Sequence, residues 1–210
     1  MIIGRAVNGW MTRWTADGAR DPEERQRVLD RVFTATEGKD GKPLLWVTAR
    51  WEGSKSYDTK RSAFWRVVRG IVGRLGIADV STKSWPSTLC WSNLYKVAPF
   101  AGGNPSASLA KAQREQCVQI LQTEVSEWKP QRIVFLTGHS WAGPFLEGLG
   151  WKGQDVGHLR ELEAIGSISI GSRVVVAPHP QGKREDRLIE EITEALGATR
   201  EVNIDTYQKP

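Results

Sequence analysis

Short apolar runs alternate with helix-like patterns along most of the chain. The apolar runs lie at residues 1–7, 44–49, 89–97, 133–137 and 174–177. Runs of this length between polar or glycine-containing segments are typical of buried strands. Because strands that alternate with helices form βαβ units, the pattern predicts the α/β class, as a three-layer α/β/α sandwich around a mainly parallel central sheet.

Apolar residues at helical spacing predict three helices. In the segment 61–75 the apolar positions fall at i, i+3, i+4, i+7, i+8 and i+11 from Phe64, so they share one face. The segment 106–128 ends before Pro130, and the segment 185–196 follows the last predicted strand. The predicted apolar stripe of the second helix consists of Cys117, Ile120, Leu121, Val125 and Trp128.

The composition is that of a globular protein. Of the 210 residues, 25% are charged and 40% are hydrophobic, and no stretch has the composition of a linker, so we expect a single domain over residues 1–210. No apolar run approaches the roughly 20 residues that cross a bilayer, and the start lacks the pattern of a signal peptide. These features predict a soluble, cytoplasmic protein without a membrane partner, and we expect a monomer.

The two cysteines, Cys90 and Cys117, are too few for a disulfide framework. Without a nearby pair of histidines they also make no zinc site, and two thiols cannot hold a four-cysteine iron–sulfur cluster. We therefore expect both to be small core residues, and the sequence predicts neither a bound metal nor a cofactor.

Positive charge is concentrated in one segment. The whole chain carries +5, and residues 48–74 alone hold seven basic residues against two acidic ones. Trp51, Tyr57, Phe64 and Trp65 are interleaved with them. This combination suits single-stranded nucleic acid or an unpaired base, because the cations bind phosphates and the aromatic rings stack on bases. The alternative is a solvated basic helix face whose aromatic side chains point inward.

The segment FLTGHSWAG, residues 135–143, has the form of a nucleophile elbow, because a hydrophobic strand runs through a glycine turn into a predicted helix. Ser140, Asp155 and His179 follow the chain order of a serine hydrolase triad. In the alternative, Gly138 turns the strand into the helix and Ser140 is the N-cap. No HGGG-like oxyanion segment lies upstream, which favours the cap.

Several segments, in order and spacing, resemble the uracil-DNA glycosylase superfamily. They read GRAVNG at the start, then SNLYKVAP with GNPS, then QREQCVQILQTEVSEWKPQRIVFLTG, and finally VVVAPHPQGKRED. SAFW, at 62–65, is similar to the Asn-Arg-Phe-Trp segment of the mismatch-specific branch. The resemblance covers residues 4–186, and it implies DNA as the partner and a flipped base as the substrate.

The resemblance assigns roles to individual residues. Asn93 matches the asparagine that reads the edge of the flipped base, a task for which an amide offers both a donor and an acceptor. Phe64, in the segment similar to that of the mismatch-specific branch, is expected to share in base recognition. His179 matches the histidine that stabilises negative charge on the departing base. The alternatives are structural: Asn93 hydrogen-bonds backbone groups at the end of a strand, and His179 is a packing residue of its loop.

Other positions are expected to contact DNA. The resemblance places Gln181, Lys183 and Arg184 at the tip of a loop that enters the duplex and holds phosphates. The alternative is an ordinary basic turn leading into the last helix. The basic segment adds the predicted phosphate contacts Lys60, Arg61, Arg66 and Arg69.

The chain departs from the family at its first motif. Arg5 and Ala6 stand where two branches of the family have a glutamate and an asparagine that orient the attacking water. Asn8 is the nearest polar substitute, and Asp17 or Asp21 are further candidates from the following loop. The alternative for Asn8 is that this segment is only a glycine-containing turn.

The same departure bears on the base. Small residues at Ala6, Val7 and Gly9 replace the bulky side chain that excludes C5-substituted pyrimidines in uracil-specific members. We therefore expect a monofunctional DNA glycosylase for uracil or a C5-substituted pyrimidine, in base-excision repair or in defence against phage with modified DNA. The alternatives are a catalytically silent module that binds DNA or a modified base, and the serine hydrolase.

Overall fold

Six strands form one sheet in the computed structural model, which describes residues 1–7, 21–24, 26–27, 44–51, 58–156 and 161–197. In chain order the strands are β1 (Ile2–Ala6), β2 (Trp91–Tyr95), β3 (Arg132–Leu136), β4 (Lys152–Asp155), β5 (Ala164–Ser167) and β6 (Arg173–Ala177). The strand order is β2-β1-β3-β6-β5-β4. The first four of these are parallel, and β5 and β4 extend the sheet with antiparallel pairing.

Helices cover both faces of this sheet. They are α1 (Leu45–Ala49), α2 (Ala63–Arg74), α3 (Ala107–Trp128), α4 (His139–Gly148) and α5 (Glu185–Gly197). Alternate strand residues point to opposite faces. One set, including Ile2, packs with α2 and α5, and the other set, including Ile3, packs with α3 and α4. The predicted α/β class and three-layer sandwich are therefore confirmed.

The strong patterns predicted most elements correctly. The apolar face of α2 is buried, and α3 begins after Ser106, whose hydroxyl oxygen accepts a hydrogen bond from the Leu109 N–H at 3.2 Å. In α3, Cys117 is buried as predicted, but Ile120 and Trp128 are 42% and 49% exposed. These two side chains instead line a shallow depression of about 420 Å³ on the outer side of the helix.

One predicted strand is wrong. Most of the run at residues 44–49, namely Leu45–Ala49, is the short helix α1, and its N-cap Leu44 has a left-handed conformation with φ of 63°. A short apolar run does not distinguish a strand from a buried helical turn, and here tertiary packing decides. Trp46 makes an edge-on contact with Trp65, with ring centroids 5.4 Å apart, while Val47 is fully buried.

None of the helices within the described ranges is long and apolar enough to span a membrane. Both cysteines are free thiols, and Cys117 is buried while Cys90 is partly exposed.

Candidate functional site

Asn93 and Gly4 lie side by side in the sheet, and the missing side chain of Gly4 leaves room for the asparagine amide beneath α2. Asn93 is the third residue of β2 and is paired in register with Gly4 of β1. A Cβ atom on Gly4 would overlap Asn93 Oδ1 and would lie 3.5 Å from Phe64 Cε2. Because glycine has no side chain, the asparagine amide and the phenylalanine ring border the same small space.

The Asn93 side chain is only 8% exposed. Buried amides are normally hydrogen-bonded. Within the described part of the chain, however, neither Oδ1 nor Nδ2 of Asn93 makes a hydrogen bond. The structure therefore holds a positioned amide whose donor and acceptor are both unused by those residues.

His179 follows β6 and completes the group. Its ring stacks on Phe64, with centroids 6.4 Å apart and an interplanar angle of 27°. Burial lowers the pKa of His179 below its ordinary value, and the positive charge of Arg5 lowers it further. The Gln181 N–H donates to His179 Nδ1 at 3.3 Å. A neutral ring whose Nδ1 accepts carries its proton on Nε2, so this nitrogen is the donor of the imidazole.

The loop after His179 turns tightly and presents polar side chains. Its turn is closed by a hydrogen bond from Lys183 N to Pro180 O at 3.0 Å, and Gly182 has φ of 76°. Gln181, Lys183 and Arg184 are all exposed. Arg184 forms a 3.7 Å ion pair with Asp186, in which both side chains are well exposed.

The basic segment divides into engaged and exposed cations. Lys60 and Arg61 are exposed in a 3-10 turn whose backbone N–H groups are capped by Asp58. Arg66 is bound to Glu185, and Arg69 donates to the Val80 carbonyl. The guanidinium groups of these two arginines are thus already bound to protein acceptors.

The aromatic residues of that segment do not form a surface platform. Phe64 and Trp65 are buried in the core of α2, as the inward-facing alternative predicted. Trp51 is partly buried and lies under Arg69, whose guanidinium carbon is 5.2 Å from the ring centroid. Tyr57 lies outside the described residues.

The candidates for the water-activating residue belong to the first motif and the segment after it. Asn8 and Asp17 lie outside the described residues. Asp21 is exposed, and its Oδ1 accepts a hydrogen bond from the Glu23 N–H at 2.9 Å. Arg5 lies on the α4 side of the sheet, where its Nε donates to the Thr137 carbonyl at 2.6 Å.

The three residues of the alternative hydrolase triad are not arranged as a triad. Asp155 Oδ1 lies 3.2 Å from His139 Nδ1, and the Nδ1 of His179 already accepts from Gln181. Ser140 is exposed and is the second residue of α4. The serine therefore has neither of its proposed partners in position.

The prediction that Ser140 is the N-cap of α4 is also wrong. The N-cap is Gly138, with φ of 86°, and no side chain of the cap residue bonds the helix. The carboxylate of Glu163 instead accepts a hydrogen bond from the His139 N–H. A carboxylate from the residue before β5 thus performs the capping that a local serine was expected to perform.

Two features of this edge were missed at the level of sequence. Glu163 and Arg5 both approach Gly138, each with an atom 3.6 Å from where its Cβ would be. Phe100, in the loop after β2, is 52% exposed. Nothing local in the sequence pairs residues 5 and 163, whereas an aromatic residue between Pro99 and a glycine pair is a recognisable signal for an exposed loop tip.

No group of three or more potential metal ligands occurs among the described residues. The comparisons with known proteins add no relationship, since no protein-family model matches this chain and no curated protein does.

Proposed function

We propose that this protein is a monofunctional DNA glycosylase that flips out a pyrimidine and hydrolyses its N-glycosidic bond. The observation that carries the proposal is that Asn93 and Phe64 meet above Gly4 while the His179 ring stacks on Phe64. This arrangement combines an amide without a partner among the described residues, an aromatic ring and a neutral imidazole donor. The amide suits the edge of an extruded base, the imidazole suits the negative charge of a departing base, and the Phe64 ring lies against both groups.

Base recognition is assigned to Asn93 and Phe64. The amide offers a donor and an acceptor to the polar edge of a pyrimidine, and burial makes a mismatched edge costly. Phe64 is held edge-on against Trp65, with centroids 5.3 Å apart, so its ring is fixed. A fixed ring beside a fixed amide selects a planar ligand with hydrogen-bonding edges.

Bond breaking is assigned to His179. When the bond between C1′ and the base nitrogen breaks, its electron pair moves to the base, and positive charge develops on the sugar. A hydrogen-bond donor aimed at the developing anion lowers the barrier, and the donor need not transfer its proton to do so. The lowered pKa keeps His179 neutral near pH 7, and Nε2 retains the proton for that hydrogen bond.

Water then adds to C1′ and loses a proton, while the departing base gains one. We assign the orientation of this water to Asn8, the nearest polar residue after Arg5 and Ala6, which replace the residues that orient water in the family. The proposed steps use amide, imidazole and water, and they call for no metal or cofactor.

Contacts with the DNA strand are assigned to exposed polar residues at the margins of the site. Lys183 and Arg184 supply positive charge, and Gln181 lies at the tip of the same turn. Lys60 and Arg61 lie close before Phe64 in the chain and are likewise exposed. Contacts of this kind fix the register of the strand without reading its sequence.

One observation favours a second candidate, a module that binds the base without cleaving it. Arg5, at a position where one branch of the family carries a water-orienting glutamate, is bonded to the Thr137 carbonyl. Because a guanidinium is a donor only, this position holds no group that accepts a proton from water. The two candidates share Asn93 and Phe64 and differ in whether abasic sites appear.

The test is a panel of oligonucleotides containing uracil, hypoxanthine, 5-hydroxymethylcytosine or glucosylated 5-hydroxymethylcytosine. After incubation with the protein, alkali cleaves the strand wherever a base has been removed. The glycosylase proposal expects alkali-labile strands and free base for at least one pyrimidine, and Asn93→Ala as matched control should abolish most of both. Tight binding without any free base supports the binding module instead.

A further inference from the structure

A bidentate ion pair joins helices α2 and α5 next to the candidate site. Arg66 Nε donates to Glu185 Oε2 at 2.8 Å, and Arg66 Nη2 donates to Glu185 Oε1. Nη1 of the same guanidinium donates to the Lys60 carbonyl at 3.0 Å. The side chains are 38% and 27% exposed, so the pair is only partly open to water.

The pair connects two segments that are distant in sequence and that both carry site residues. Arg66 follows Phe64 by two positions, and Glu185 begins the helix that follows the His179 loop. Further along the same two helices, Gly70 lies so close to Ile189 that a Cβ there would overlap its side chain. The ion pair thus closes the end of a tight helix pair where Phe64 and His179 stack.

Electrostatics favours this pairing over a phosphate contact. Two carboxylate oxygens and a carbonyl oxygen already occupy three donors of the Arg66 guanidinium. A phosphate would have to displace a carboxylate that already makes the bidentate, charge-assisted contact in which arginine also binds phosphate. Glu185 also lies in the first turn of α5, where the helix dipole stabilises a negative charge.

We propose that Arg66 and Glu185 form a positioning pair that holds the His179 loop against Phe64, and that Arg66 does not act as a phosphate ligand. The catalytic part of this inference rests on the proposed function. The pair touches neither base nor sugar and acts through the orientation of His179. Small displacements of a catalytic group have large effects on rate. We therefore expect a large loss of cleavage rate when the pair is broken.

The first arm of the test measures rates and salt dependence. Arg66→Ala and Glu185→Ala should each lower the single-turnover cleavage rate by about tenfold to a hundredfold. Combining both changes should cost little more than either alone, because they remove the same interaction. The dependence of DNA affinity on salt should stay unchanged in both. The exchanged pair Arg66→Glu with Glu185→Arg should recover part of the rate.

The matched control is Arg74→Ala. Arg74 pairs with Glu190 at 3.3 Å between the same two helices, with both side chains about half exposed. This change alters the same helix contact away from the site, and the cleavage rate should stay within about twofold, the scale of an exposed ion pair. Thermal unfolding of every variant identifies any that fail to fold, and those are replaced by Arg66→Lys and Glu185→Gln.

The second arm needs no activity. Proton NMR of the His179 ring, assigned with His179→Gln, gives its pKa in each variant. If the pair holds the loop, both Arg66→Ala and Glu185→Ala admit water and raise this pKa toward 6.5, the ordinary value. Through-space charge alone would move it in opposite directions, since one change removes a cation and the other an anion.

The two arms separate the possible failures. Opposite pKa shifts overturn the positioning role. So does a lower salt slope in Arg66→Ala together with tighter DNA binding by Glu185→Ala, because that pattern identifies Arg66 as a phosphate ligand. Matching upward pKa shifts in a protein that cleaves no substrate uphold the pair and overturn the proposed function instead.

Discussion

Gly4→Ala is the perturbation that the geometry of the site defines most sharply. The new methyl group would overlap Asn93 Oδ1 and approach Phe64 Cε2 to 3.5 Å. β1 lies between β2 and β3, so its backbone is held on both sides. The amide of Asn93 therefore has to turn away from the space above Gly4, although residue 4 itself carries no functional group.

Two opposing terms set the effect on stability. Overpacking a closely packed site costs about 1–3 kcal/mol. Replacing glycine by alanine also restricts the unfolded chain, which stabilises the protein by about 0.4–1 kcal/mol. We therefore expect a net loss of about 1–2 kcal/mol in the free energy of unfolding, measured by urea denaturation.

The effect on activity follows from the displaced amide. A polar edge left unpaired in a buried site costs about 1–3 kcal/mol, which corresponds to roughly fivefold to a hundredfold in rate. Gly4→Ala should thus lower single-turnover cleavage nearly as much as Asn93→Ala. The double variant should be no slower than Asn93→Ala, because the interaction is already lost.

The matched control is Gly197→Ala at the end of α5, where a Cβ would meet nothing within 4 Å. Alanine has the higher helix propensity, so this change should stabilise the protein by up to about 1 kcal/mol and leave cleavage unchanged. Wild-type cleavage by Gly4→Ala, at a stability that shows the methyl group is accommodated, would refute the role given to the space above Gly4.

Four further predictions concern pH, charge and Ser140. Cleavage should stay level as the pH falls through 6.5 and decline only at the lowered pKa of His179, while Arg5→Met should move that decline to higher pH. The same shift predicts that the free energy of unfolding falls as the pH drops from 6.5 toward the lowered pKa, since the unfolded state then binds the extra proton; a rising value would contradict it. Replacing Lys60 and Arg61 together by alanine should flatten the salt dependence of DNA binding by about two units of slope, and an unchanged slope would place them away from the DNA. Ser140→Ala should alter stability by less than about 0.5 kcal/mol and leave cleavage intact, because Ser140 is exposed and does not cap α4; labelling of Ser140 by a fluorophosphonate would reverse this conclusion.

Strong periodicity explains what the sequence predicts well. The apolar stripe of α2 and the buried runs of β1, β3 and β6 have one stable arrangement, since each must bury its apolar side chains against another layer. β4 and β5 were not predicted, because their sequences KGQD and AIGS carry weak strand signals. They are strands because they pair with β6, a contact that only the folded chain provides.

The candidate site could likewise be predicted only in part from the sequence. The sequence singled out Asn93, Phe64 and His179 separately, and the fold links them through the space above Gly4 and the ring stack. The engagement of Arg66 by Glu185 was not predictable, because the two residues are 119 positions apart and no local pattern joins them. Long-range charge pairs depend on how helices pack, and the same holds for the capping of α4 by Glu163.

Single-turnover cleavage by His179→Ala tests the central claim most directly. The substrate is the base that the wild-type protein removes fastest, and DNA binding is measured in parallel by fluorescence anisotropy. Because His179 acts on charge that develops only as the bond breaks, the rate should fall by about a hundredfold or more while binding stays nearly unchanged. Undiminished cleavage by His179→Ala would contradict the mechanism, even with the fold and the base-recognition residues in place.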